Sequence, residues 1–155
     1  MICIVQRVLS ASVSVDGTVV GDCGRGLMLL VGVARGDEER DAELLADKIC
    51  KMRVFEDAEG KMNRSLLDVG GGALVIPNFT LLASYRRGNR PDFFGSEEPG
   101  RAKELYDFFC ARIETLLPHV GRGVFGAHME VSLVNDGPLT IPMDSAVLRA
   151  PKSAF

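Results

Sequence analysis

The stretch Gly70-Gly71-Gly72-Ala73-Leu74-Val75-Ile76-Pro77-Asn78-Phe79-Thr80-Leu81 decides how this chain is read. Ala73 to Ile76 is an unbroken apolar run entered from three glycines. A strand exposed on one face would alternate; an unbroken run predicts a central strand covered on both faces. After Pro77 an amide, an aromatic ring and a hydroxyl follow in succession, Asn78, Phe79 and Thr80. They end the strand at the rim of the core, where a rigid element can present groups to a ligand. A second stretch, Asn135-Asp136-Gly137-Pro138-Leu139-Thr140, is the expected counterpart.

Outward from this strand, Leu27 to Val33 is a second wholly apolar run and a second central strand. Residues 2–8 are rich in β-branched residues, and residues 11–15 alternate serine with valine. Asp16-Gly17 before Thr18-Val19-Val20 predicts a hairpin. Asp37-Glu38-Glu39 opens a helix, three acids at the positive end of its dipole. Ala42, Leu45, Ile49 and Met52 give that helix a buried face. Val54-Phe55 is a short strand, and residues 63–68 are irregular or a short helical turn. A loop spans Ser84 to Pro99. A second helix runs from near Pro99 to Leu117, with Pro118 as its stop. Val124 to Ala127 leads into a strand in which Met129, Val131 and Leu133 form the expected core face. Residues 135–138 read as a turn and 139–143 as a last short strand. Strands and helices do not alternate regularly, so the prediction is an α+β domain, a mostly β core with two covering helices. It spans residues 1–145, and residues 146–155 form a tail without pattern.

The chain has 155 residues, enough for one sizeable core, with 46% hydrophobic and 25% charged residues. No apolar run is long enough to cross a membrane, and the N-terminus reads as a strand rather than a signal peptide. Cys3, Cys23, Cys50 and Cys110 are scattered without CxxC spacing, so free thiols in a reducing cytoplasm are expected. A net charge of −3 argues against nonspecific coating of nucleic acid, and no DNA partner is expected.

The common catalytic constellations are missing. There is no GxSxG elbow and no GxxxxGK[ST] loop, and Gly70-Gly71-Gly72 enters a strand rather than a helix. His128-Met129-Glu130 has the H-x-E of zinc deaminases without the following P-C-x-x-C. With His119 and His128 the sole histidines, a histidine triad or metal site is not expected. Read singly, Phe79 and Phe125 are core aromatics, Thr80 a strand residue, Gly137-Pro138 an ordinary turn, and Arg86, Arg87 and Arg90 a solvated loop.

In combination these residues resemble a family. Gln6-Arg7-Val8, Val15-Asp16-Gly17, Phe55-Glu56-Asp57 with Gly60-Lys61-Met62-Asn63, Phe79-Thr80-Leu81, Arg86 to Pro91, Phe125-Gly126-Ala127-x-Met129 and Asn135-Asp136-Gly137-Pro138-x-Thr140 stand in the order found in the D-aminoacyl-tRNA deacylases. The resemblance covers residues 1–145. It implies hydrolysis of the ester between a D-amino acid and the 3′-terminal adenosine of tRNA, and removal of glycine from mischarged tRNA. It also implies a mainly β homodimer, with no metal or organic cofactor, whose active sites are built across the interface. There the Phe-Thr-Leu segment of one subunit faces a Gly-cis-Pro dipeptide of the other, here Gly137-Pro138. By the same resemblance the backbone N–H groups of Phe79 and Thr80 are candidates for an oxyanion hole. Asn78, Phe79 and Thr80 are the catalytic candidates. The Thr80 hydroxyl hydrogen-bonds the substrate or acts as a nucleophile, the first being favoured because no base is evident to activate it, and a ribose 2′-hydroxyl helps to activate water. Carbonyls of Gly137 and Pro138 bind the amine and exclude L side chains. Arg7 braces the dipeptide, with Phe125, Met129 and Thr140 in support. Arg86, Arg87 and Arg90 are candidates for tRNA phosphates. An activated ester asks mainly for positioning and stabilisation of negative charge, which suits a site without histidine or acid.

Sequence statistics alone make an X-Pro bond trans, cis being only about 5–6% of cases. The cis geometry is therefore an implication of the resemblance. The chain also departs from the family, with Pro77-Asn78 where Ser-Gln is usual. That removes a serine side chain and a backbone N–H and shortens the amide's reach. Two other readings follow from this departure: a deacylase with relaxed chiral selectivity, or a noncatalytic tRNA- or nucleic-acid-binding module on the same fold.

Overall fold

Two apolar strands, β3 (Gly26–Gly32) and β6 (Gly72–Pro77), lie side by side and parallel at the centre of the molecule. The computed structural model describes residues 1–151. Around this pair the sheet runs β2 (Thr18–Cys23), β1 (Ile2–Val15), β3, β6, β7 (Val120–Arg122), with β8 (Glu130–Asp144) also paired to β1. The Asp16-Gly17 hairpin is present. Both residues have positive φ, 50° and 79°, the conformation that Asp-Gly tolerates. A small second sheet joins β4 (Arg53–Glu56) to β5 (Met62–Ser65), followed by the single turn α2 (Leu66–Val69).

The sheet curls until its ends nearly meet. A Cβ at Gly21 would lie 2.6 Å from the Arg122 carbonyl oxygen, and one at Gly121 would lie 2.4 Å from that of Asp22. Paired glycines thus let β2 press on β7, and the result is a nearly closed, barrel-like sheet. This curl explains the unbroken apolar runs. Leu27, Leu29, Val31, Ala73 and Val75 face the helices, while Met28, Leu74 and Ile76 face the barrel interior with Val8, Val13 and Cys23. Both faces are buried, as a continuous run demands.

The helices α1 (Glu39–Lys51) and α3 (Pro99–Glu114) cover the outer face through Leu45, Ile49, Leu105, Phe109 and Ile113. Arg112 ties them with a two-pronged ion pair, its Nε 2.7 Å from Asp47 Oδ1 and its Nη2 3.0 Å from Oδ2.

Several expectations are corrected. Asp37 precedes α1 rather than opening it; it is buried and accepts the Ala34 amide at 2.7 Å. β7 and β5 were not anticipated. Residues 135–138 are not a reversing turn. They belong to β8, which runs unbroken from Glu130 to Asp144 and carries a bulge. Val131 is 37% exposed and so not core, whereas Met129 and Leu133 pack on the interior cluster. Part of the tail is ordered. Ser145–Arg149 forms α4, where Ser145 Oγ donates to Asp41 Oδ1 at 2.7 Å and Arg149 Nε stands 3.1 Å from the same atom. Residues 152–155 lie outside the described residues. Among the described residues no helix is long and apolar enough to cross a membrane.

Candidate active site

The end of β6 builds the first cluster. Pro77 pairs with Val31, and the Asn78 N–H donates to the Val31 carbonyl at 2.8 Å. β7 stops opposite Val75, so no ladder N–H is needed from residue 77 and proline fits there. The chain then winds into a one-turn 3₁₀ helix, Phe79–Leu82, rather than continuing as strand. A helix start leaves its first amides without intrahelical acceptors. Among the described residues the Phe79 and Thr80 N–H groups have no protein acceptor. The Thr80 hydroxyl donates to Asn78 Oδ1.

Phe79 is not a core aromatic; it is 58% exposed. Its ring meets that of Phe93 edge-on at 5.0 Å, and its carbonyl accepts the Ser96 hydroxyl at 3.0 Å.

Two hollows open beside this turn. A cavity of about 440 Å³ is lined by Leu30, Asn78, Thr80, His128 and Met129, among others. A narrower one of about 80 Å³ lies between Asn78, Phe79, Tyr106 and Phe125. Tyr106 donates its hydroxyl to the Val75 carbonyl at 2.8 Å, and burial pushes its ionisation far up, so it serves as wall rather than acid. Cys23 and Cys110 are buried, each pushed up to about 11 mainly by desolvation, which withholds the thiolate a nucleophile requires.

The bulge of β8 is the second cluster. Gln6 pairs with Thr140 and Val8 with Asn135, so residues 136–139 stand opposite Arg7 alone. The Gly137-Pro138 bond is cis, and both residues are exposed. Arg7, 8% exposed, donates from Nε to the Asp136 carbonyl at 3.0 Å and from Nη1 to the Val54 carbonyl at 2.6 Å. Asn135 closes the base of the bulge. Its Oδ1 accepts the Leu139 amide at 2.7 Å, and its Nδ2 reaches the Leu139 carbonyl and Thr140 Oγ1, both at 3.1 Å.

The loop after the 3₁₀ turn is the third cluster. Ser84 and Asp92 exchange backbone hydrogen bonds of 2.8 and 2.9 Å, which pinches off residues 85–91. Arg86, Arg87 and Arg90 are exposed on it, and the first two line a cavity of about 580 Å³ with Ser84, Asp92 and Phe94.

Asn78, Phe79, Thr80, Phe125 and Met129 therefore come together, and so do Arg7, Gly137, Pro138 and Thr140. The two groups do not meet within one chain. Arg7 and Asp136 line a separate pocket with Arg25, Phe55 and Glu56, which shares no lining residue with the cavities beside Asn78. Sequence reasoning missed Ser96 and Phe93, which fix Phe79 and whose spacing from it carries no local pattern; Asn135 stood in the Asn135–Thr140 motif but was given no part in shaping the bulge. Among the described residues no group of three or more His, Cys, Asp or Glu is placed to hold a metal ion.

Residues 4–144 match the family described as D-Tyr-tRNA(Tyr) deacylase. The chain belongs to this family. A D-aminoacyl-tRNA deacylase from Thermomicrobium roseum is 56% identical over 94% of the chain and 95% of its own length. One from Deinococcus radiodurans is 52% identical over 91% and 97%. Among solved structures, the c-Myc DNA Unwinding Element Binding Protein superposes with a TM-score of 0.88 at 35% identity, over 93% of this chain and 98% of that one. A probable eukaryotic D-amino acid tRNA deacylase shares the fold at TM-score 0.79, with 17% identity over 92% and 98%. The family match thus covers nearly the whole chain, the residues of all three clusters included.

Proposed function

We propose that the chain hydrolyses D-aminoacyl-tRNA, releasing the free D-amino acid and tRNA, and acts likewise on mischarged glycyl-tRNA. The observation that carries this reading is the family match across residues 4–144. Water adds to the ester carbonyl, the oxyanion collapses, and the ribose 3′-oxygen leaves with a proton. The unpartnered Phe79 and Thr80 amides suit an oxyanion hole, since preformed backbone donors are strongest where charge develops. The Thr80 hydroxyl is engaged with Asn78 and is hydrogen-bonded to no base, so it orients rather than attacks. Phe79 and Phe125, which border the narrower hollow, are assigned to the terminal adenosine, with Met129 on the wall of the larger cavity.

The filter for chirality is assigned to Gly137 and Pro138, whose carbonyls bind the amine and leave no room for an L side chain. Arg7 and Thr140 support it. Because the filter stands apart from Asn78 within one chain, the reading requires a homodimer in which each bulge enters the partner's site. Arg86, Arg87 and Arg90 contact tRNA phosphates. The setting is cytoplasmic translation quality control.

The deciding experiment is ester hydrolysis on matched D- and L-tyrosyl-tRNA with chelator present. Rapid loss of the D ester alone is expected. Loss of both would mean that Pro77-Asn78 has relaxed selectivity. If neither these nor glycyl-tRNA were cleaved, a nucleic-acid-binding role would replace the proposal. The similarity to a protein named for binding a DNA element favours that second reading.

A further inference from the structure

We infer that the cleft formed by Ser84, Arg86, Arg87, Asp92 and Phe94 is a subsite for a cytidine nucleotide, the one preceding the terminal adenosine of tRNA. The inference rests on the deacylase reading for its substrate, and goes beyond it in naming a second nucleotide and the residues that take it.

Four observations carry it. The cleft's volume, about 580 Å³, is in the range of sites that enclose small ligands, roughly 300–1,000 Å³. Phe94 lines it yet is 76% exposed, so an aromatic face is left open to an unstacked base. Arg86 and Arg87 on its wall match phosphate in charge and geometry. Asp92 is half-buried, and its Oδ1 accepts the Phe94 amide at 3.3 Å. Among the described residues Oδ2 has no hydrogen-bond partner. A fixed carboxylate accepts from the exocyclic amine of cytosine and repels the carbonyl that uracil carries at the same position.

The cleft also adjoins the candidate active site. Phe93 packs edge-on against Phe79 at 5.0 Å, while its neighbour Phe94 faces the cleft. The Ser84–Asp92 backbone pair holds the two walls together. Bases within a stem are paired and stacked on their neighbours, whereas an unpaired base can be splayed onto an aromatic ring and read along its edge, so the occupant is the unpaired 3′ segment of the tRNA rather than its stem.

The test compares D-tyrosyl-tRNA with D-tyrosyl-adenosine, an ester too short to reach the cleft. Phe94→Ala should lower kcat/KM on the tRNA about 5- to 150-fold, the worth of one base–aromatic stack. Turnover of the adenosine ester should be unaltered. Replacing the penultimate cytidine by uridine should slow the wild type, and Asp92→Asn, which can donate to uracil, should narrow that preference. Equal loss on both esters, or no loss on the tRNA, would overturn the subsite, and so would an unaltered cytidine preference in Asp92→Asn. Binding of unacylated CpCpA trinucleotide is measured in the same series. If the intact chain cleaves neither ester, the deacylase reading fails. Weaker trinucleotide binding by Phe94→Ala would then still uphold the cleft, and undiminished binding would overturn it.

Discussion

Arg7 grips the β8 bulge at Asp136. Its Nε donates to the Asp136 carbonyl at 3.0 Å and lies 3.3 Å from that residue's carboxylate, while Nη1 anchors on Val54 at 2.6 Å. One planar guanidinium thus ties the bulge to β4, and lysine cannot span both acceptors from one ammonium. Arg7→Lys should leave the chain folded but loosen residues 136–139. At least a tenfold fall in kcat/KM on D-tyrosyl-tRNA is expected, with poorer rejection of the L ester. Arg7→Ala should also destabilise, by roughly 2–4 kcal/mol, because a buried carbonyl at Val54 and a half-buried one at Asp136 lose their donor. Denaturant melts alongside the hydrolysis assay separate the two effects. A Lys variant with full rate and selectivity would refute the bracing role.

Gly137 has φ 145°, and a Cβ there would approach the Leu139 amide to 2.8 Å. Alanine must therefore shift the bulge. Gly137→Ala should lower the melting temperature by several degrees, because an L residue is strained at this φ, and should disturb discrimination between D and L esters. Unaltered discrimination would show that the bulge does not read the substrate amine.

The Thr80 hydroxyl donates to Asn78 Oδ1, and no titratable group is hydrogen-bonded to it. If Thr80 acts through its backbone, Thr80→Val forfeits one exposed hydrogen bond, about 1 kcal/mol, and slows turnover by less than about tenfold. Abolished turnover with fold and tRNA binding intact would instead mark the hydroxyl as the nucleophile.

The centre of the fold was legible because its signals are local. Leu27–Val33 and Ala73–Ile76 are unbroken apolar runs, and such strands are buried on both faces. Asp16-Gly17 is hairpin chemistry between alternating strands. The bulge was misread for the same reason. Asn135-Asp136-Gly137-Pro138 is turn chemistry, and what keeps it inside β8 is distant: β1 resumes pairing at Gln6–Thr140 on the far side. β7 is three residues long, too short for a period to register. Phe79 was misread on its own terms too, since its exposure depends on the 3₁₀ turn and on Ser96. The motif residues could be grouped into one family by resemblance. That they fall into two separate clusters within the chain is a matter of tertiary packing, which spacing does not encode.

Acid should weaken the fold through the α1–α3 ion pair. The Arg112 hydrogen bond and charge hold the Asp47 carboxyl below the ordinary aspartate range, against a smaller opposing push from burial. A carboxylate depressed in the folded state stabilises above its unfolded pKa, about 3.9, and loses that contribution as pH falls through the folded value. Asp47→Asn keeps the shape but removes the titrating charge. At pH 7 the variant should melt below the wild type. As the medium is acidified below about pH 4 the gap should shrink, because the wild-type aspartate becomes protonated as well. Melting curves of both proteins from pH 7 down to pH 3 test this. A gap that stayed constant across that range would mean that Asp47 contributes by packing rather than by its charge.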